Sequence, residues 1–349
     1  MNTLTIALAS LAGVVLAGVV AQGAWAARKA GPKRAVPTPE RTELREPVMD
    51  LPAEPTEAQA DEGSVAVPER RPNKRIVNRL DALIDAIAPL RLEAPVSGAM
   101  VIAHLPTTRR AGGKPFLIEG LNSESGEWEA PAPSQRYGEF QAGVQLANRT
   151  GALNEIEYSE FVQKVQAFAD GIGAMADFPD MLEAVASARE LDAFAGQHDA
   201  QLAVHLQARG SAWSVGYLLQ HAGRHGFVPG VVPGRLVLPA TEEGAPPVLT
   251  LTFDSQAALA DDPNLSALRD VTLSFDVPQT DAKVEPFVAW QASAQALSLG
   301  MDASIVDDNG RPLSPEGFAS IGNELGQLYA ALQERDLAAG SAAARRLFS

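Results

Sequence analysis

Apolar and polar residues alternate with a period of two in three stretches of the carboxy-terminal third. Leu202, Val204 and Leu206 interleave with Gln201, Ala203 and His205. Leu249, Leu251 and Phe253 interleave with Thr250, Thr252 and Asp254, and Val271, Leu273, Phe275 and Val277 with Thr272, Ser274 and Asp276. Successive side chains of a strand point to opposite faces, so each stretch predicts an antiparallel strand with one face on a core and the other in solvent. Glu160–Gly173 and Pro286–Gly300 instead carry helical periodicity, with Phe161-Val162 and Phe287-Val288 at what read as equivalent points. Ile84–Leu105, Pro115–Asn122 and Phe140–Arg149 precede the first of these helices, as Asp199–Ala222, Gly234–Ala240, Pro247–Asp254 and Val271–Pro278 precede the second. The shared order of strand, short helix, strands and long helix reads as a diverged tandem duplication at domain scale. The expected fold class is α+β: an antiparallel sheet of the split β-α-β kind, backed by helices on one face, in two related copies over 78–198 and 199–335. A flexible tail is expected over 336–349. Asp307-Asp308-Asn309-Gly310 predicts a type I′ hairpin turn, followed by a helix with Ser314 as N-cap and Pro315 in its first turn.

The amino-terminal segment has a different pattern. Leu4–Ala26 is uncharged, and its 23 residues would make a helix about 34 Å long at ~1.5 Å per residue, enough for a bilayer core roughly 30 Å thick. Arg28, Lys29, Lys33 and Arg34 follow it and nothing charged precedes it. That asymmetry favours a retained anchor over residues 1–27, with the N-terminus outside and the rest on the cytoplasmic side, over a cleaved signal peptide, which needs a basic region before its apolar stretch. The expected topology is therefore a single membrane pass. Residues 28–77 are rich in Pro, Glu and Arg without apolar periodicity, which predicts a disordered linker.

Charge and composition narrow the chemistry. Residues 76–349 carry 18 Lys/Arg against 34 Asp/Glu, a balance that argues against nucleic-acid binding, which needs clustered cations. The chain has no cysteine, which excludes disulfides and thiolate chemistry. His221 and His225 have the i,i+4 spacing of two ligands on one helix face, but no Glu lies between them and no third ligand is evident. Asp307-Asp308-Asn309-Gly310 lacks the spacing and terminal Glu of an EF-hand. Phosphate-binding glycine loops and a nucleophile elbow are absent from the sequence. The expectation is a non-enzymatic protein with no cofactor, no metal and no small-molecule substrate.

The uncharged span, the following Gly23-x-Trp25-x-x-Arg28-Lys29, the proline-rich linker and the carboxy-terminal module together resemble the ZipA family of bacterial division proteins. Within the module, VTLSFDVP, then SIVDDNGRPLSPEGFASI, and AWSVGYLLQHAGRHGF are similar to that family's last strand–helix–hairpin–helix run and its first helix; the likeness covers about Asp199–Leu332. The resemblance implies a cell-division adaptor, single-pass in the bacterial inner membrane with a periplasmic N-terminus and a cytoplasmic carboxy-terminal module. Its open sheet face would hold the carboxy-terminal tail of FtsZ, the tubulin-like division GTPase, fastening its filaments to that membrane. Carried over by position, the partner-binding residues would be Gln201, Ala203, His205, Thr250, Thr252, Asp254, Thr272 and Ser274. The family's groove is largely apolar, whereas these residues are mostly small or polar. The first copy lies outside the family's pattern. The alternative is an anchored envelope protein binding a ligand outside the cytoplasm.

Overall fold

The computed structural model describes residues 79–242 and 244–349, all within a compact unit spanning Glu69–Ser349. The first lobe contains β1 (Asp85–Ser97), α1 (Gly98–His104), β2 (Arg110–Ala111), β3 (Lys114–Asn122), β4 (Trp128–Glu129), β5 (Arg136–Gln145), the small ribbon β6 (Ala147–Asn148) and β7 (Gly151–Ala152), α2 (Glu155–Ile172), β8 (Ala174–Ala176) and α3 (Met181–His198). The second contains β9 (Gln201–Ala208), α4 (Val215–Arg224), β10 (Val228–Pro229), β11 (Arg235–Leu238), β12 (Leu249–Thr252), α5 (Ser255–Ala258), β13 (Asp270–Asp276), α6 (Pro286–Met301), β14 (Ala303–Val306) and α7 (Pro315–Glu334), followed by α8 (Ala342–Leu347). The first sheet runs β2-β3-β5-β1-β8 with β4 on β3; the second runs β10-β11-β12-β13-β9-β14. The stretches β3-β5-β1-β8 and β12-β13-β9-β14 thus share one order, and every pairing in them is antiparallel.

Each sheet is covered by helices for a reason visible in the residues. In α6, Trp290, Ala294, Leu297 and Met301 recur at helical spacing and are buried against Leu251, Leu273 and Phe275 of the second sheet. Helices α4 and α7 add Leu218, Ala222, Phe318 and Leu325 to the same core. In the first lobe, α2 is started by a capping box between Asn154 and Glu157 and buries Phe161, Val165, Phe168 and Ile172. The indole Nε1 of Trp290 donates to the Leu273 carbonyl at 2.9 Å. Trp290→Phe would remove the indole donor from that buried carbonyl and open a small void, so a loss of about 1–3 kcal/mol is expected in urea unfolding; a variant as stable as the parent would show that the indole contributes nothing.

Several expectations need correction. The described residues form a mixed α/β unit with antiparallel sheets, and no helix among them is long and apolar enough to cross a membrane. The single-pass inner-membrane fold and localisation are therefore not supported; the expected anchor over 1–27 and the linker over 28–77 lie outside the described residues. Residues 336–349 are not a loose tail: Leu337, Ala343, Ala344, Leu347 and Phe348 are buried in the core of the first lobe. Phe161 and Phe287 are not equivalent, because α2 begins six positions before Phe161 and α6 one position before Phe287. The turn at 307–310 is not type I′, since of its residues only Gly310 has positive φ, at 73°. Asp307 Oδ1 instead accepts from the amides of Asn309 and Arg311, at 2.9 and 2.8 Å, and holds the turn open by one residue.

The lobes meet through α7, whose Leu328 and Tyr329 pack against both cores, and through a polar contact beside it. Arg149 of the first lobe reaches Asp199 and Asp276, each at 2.6 Å. These carboxylates hold the guanidinium firmly protonated, while burial pushes Asp276 above the usual carboxylate range despite Arg149 beside it.

Candidate functional site

The face of the second sheet opposite its helices is built by strand register. Across it, Val237 lies beside Thr250, Thr250 beside Ser274, and Ser274 beside Ala203. The next row runs Arg235, Thr252, Thr272, His205 and Val306. Gln201 pairs with Asp276 beyond them. Their neighbours along each strand, Leu236, Leu249, Leu251, Leu273, Val204 and Leu206, are buried in the helical core, so these rows face the other way. Most of them are half-exposed and Arg235 is exposed; Ser274, in mid-row, and Val306, at the end of a row, are buried.

Seven of the eight residues named from the sequence therefore share one face. Asp254 does not. The strand stops at Thr252, and Asp254 caps α5, accepting from the Gln256 amide at 2.9 Å. Alternation carried the reading two residues too far, whereas a short polar side chain ahead of Ser-Gln-Ala-Ala is a helix-start signal.

The residues missed lie at the β11 end of these rows. Arg235 and Val237 belong to the run GRLVLPA, read only as a strand, and the hairpin before it presents Val231 and Val232 to solvent. Together with Pro229, Pro239 and Pro247 they line a groove of about 490 Å³. Gly234, at φ 80°, makes the hairpin possible, because a Cβ there would lie 2.6 Å from the Phe253 carbonyl oxygen. The Arg235 guanidinium donates to Thr250 Oγ1 at 3.2 Å and is otherwise exposed to the groove, whose far wall carries Glu242. The end of the face lacking these valines is polar: His205 Nε2 lies 3.1 Å from Asp308 Oδ1, and its Nδ1 lies 3.1 Å from Thr272 Oγ1 and 3.3 Å from Asp270 Oδ2. The face thus grades from an apolar groove with one cation to a polar, carboxylate-bearing edge.

The histidine pair of α4 forms no such centre. His221 stacks on Tyr217 at 4.3 Å, and burial together with Arg224 and His225 lowers its affinity for a proton. Among the described residues, no group of three or more His, Asp or Glu side chains is placed to hold a metal ion. The arrangement suits reversible docking: hydroxyl and imidazole side chains along the rows, and apolar contact at one end. Comparison with protein-family models gives no match for this chain, and comparison with curated proteins gives none.

Proposed function

We propose that the second lobe is a peptide-docking module, and that the chain acts as a non-enzymatic adaptor whose ligand is the carboxy-terminal tail of FtsZ. The observation that carries this reading is the half-exposed outer face of the second sheet, whose cross-strand rows run into the groove walled by Val231, Val232, Val237 and Pro239. The choice of FtsZ rests on the resemblance of Asp199–Leu332 to the ZipA family. The rows themselves are more polar than that family's groove, and the valine hairpin supplies apolar contact that Thr250, Thr252 and Thr272 do not. Burying apolar surface contributes ~25 cal/mol per Å², so two valine side chains and their proline neighbours outweigh the hydroxyl rows in affinity. Tails displayed along a polymer would add avidity to a modest single contact.

The test is fluorescence anisotropy of the labelled FtsZ tail peptide with the full chain. Val232→Asp places a charge on an exposed groove wall, and about a tenfold loss of affinity is expected, since ~1.4 kcal/mol corresponds to tenfold. Thr252→Lys, in mid-row, should have a comparable effect, with melting temperatures unchanged in both. An absence of binding removes the FtsZ assignment; binding untouched by either change removes the face.

A further inference from the structure

The first sheet has an outer face of its own, and the chain partly fills it. There Ile87 pairs with Gly143 and Gly143 with Leu117; Pro89 pairs with Gln141 and Gln141 with Glu119; Arg91 pairs with Glu139 and Glu139 with Leu121. The strand neighbours Ala86, Leu90, Phe116, Ile118, Ala142 and Val144 are buried in the helical core, which turns these rows outward. Pro89, Arg91 and Glu139 are exposed and Ile87, Leu117 and Leu121 half-exposed, yet Glu119 in the middle is only 5% exposed.

What covers Glu119 is the segment entering β1. The Leu80 amide donates to Glu119 Oε1 at 3.1 Å, and Gln141 Nε2 donates to Glu119 Oε2 at 2.8 Å. The Leu80 side chain lies on Gly143, where a Cβ would come within 2.4 Å of Leu80 Cδ2. Gly143 has no positive φ to require a glycine, so its missing side chain serves close packing, tightest against Leu80 and looser against Ile87 and Asp85 at 3.3 and 3.4 Å. The segment is then turned into β1 by Asp81, whose Oδ1 accepts from the Leu83 amide at 2.9 Å and whose amide donates to Asp85 Oδ2, also at 2.9 Å.

We propose that the outer face of the first sheet is a second docking surface, whose middle, over Glu119 and Gly143, is occupied by Leu80 acting as an internal ligand. The plug itself defines the chemistry of an outside occupant: an extended peptide with an aliphatic side chain for the hollow over Gly143 and a free backbone N–H for the Glu119 carboxylate. This inference does not depend on FtsZ. It accounts for two sheets of shared strand order of which the first has the middle of its outer face covered by the chain itself.

The test uses a fluorescein-labelled peptide of the plug sequence Ile76–Leu83 and the full chain. A tethered ligand acts at roughly millimolar effective concentration, so removing it should raise the affinity for the free peptide at least about tenfold. Leu80→Ser is therefore expected to bind the peptide at least tenfold more tightly than the parent chain, and Gly143→Val in the Leu80→Ser background to abolish that gain by filling the hollow. Equal binding by parent and Leu80→Ser chains, or a gain that survives Gly143→Val, would overturn the proposal. Should Leu80→Ser unfold, hydrogen exchange on the parent chain decides. The Leu80 amide should exchange at least tenfold faster than those of Ile87 and Gly143, as expected for a plug that opens locally; exchange at the same rate would overturn it.

Discussion

A chain ending at Arg335 is expected to lose the fold of its first lobe while keeping that of the second. Leu337, Ala343, Ala344, Leu347 and Phe348 all belong to the first core, and Phe348 is only 1% exposed. Deleting a buried Leu or Phe side chain costs about 2–5 kcal/mol, and the loss of several at once exceeds the roughly 5–15 kcal/mol that holds a typical domain folded. The segment also closes backbone valences of the first lobe and the seam. Gln145 Nε2 donates to the Arg346 carbonyl at 2.7 Å, Gln279 Nε2 to the Phe348 carbonyl at 2.5 Å, and the Gly340 amide to the Pro278 carbonyl at 2.9 Å. The measurement is hydrogen exchange of the shortened chain: protection should vanish from β1, β3 and β5 and persist in β9, β12 and β13. Retained protection throughout would show that α8 is dispensable. The milder Phe348→Ala is expected to lower stability by about 3–5 kcal/mol.

Replacing Arg346 with methionine should cost about 3–5 kcal/mol near neutral pH, because it strands a buried carboxylate. Asp85 has a fully buried side chain, and Arg346 reaches its Oδ1 at 2.5 Å and its Oδ2 at 2.8 Å while also donating to the Arg79 carbonyl. Burial already pushes the Asp85 carboxyl above its ordinary range, with Arg346 opposing that rise. Without Arg346 the rise is larger. A carboxyl whose folded pKa exceeds its unfolded value favours the fold when protonated, so this contribution is present at low pH and lost as pH rises through the folded pKa. The deficit of Arg346→Met relative to the parent should therefore be smaller at pH 5 than at pH 8 in denaturant titrations. A deficit independent of pH, or larger at pH 5, would mean that the loss comes from packing and not from the stranded charge.

Much of the second sheet was legible because its strands bury one face only, and burial on one side imposes a two-residue period on Val204, Leu206, Leu249, Leu251, Val271 and Leu273. The N-cap at Ser314 was legible for an equally local reason, its Oγ accepting from the Gly317 amide within one turn. Seven outward residues of the candidate face followed from the same alternation. Asp254 did not, since a capping aspartate and an outward strand residue look alike where the alternation ends. The valine hairpin was missed because exposed valines carry no periodic mark; only the register of β11 on β12 places Arg235 and Val237, which share the groove with these valines, in the rows of the face.

The amino-acid sequence by itself determined which residues of a strand share a face, that Ser314 starts a helix, and that clustered cations and cysteine chemistry are absent, since each of these follows from composition or from neighbours within a few positions. Tertiary structure decided the rest. That the segment after Arg335 completes the first core, that Arg346 neutralises Asp85, and that Leu80 lies over Gly143 are contacts between residues brought together by two sheets folding. Their energy comes from burial and desolvation at sites that no local pattern encodes.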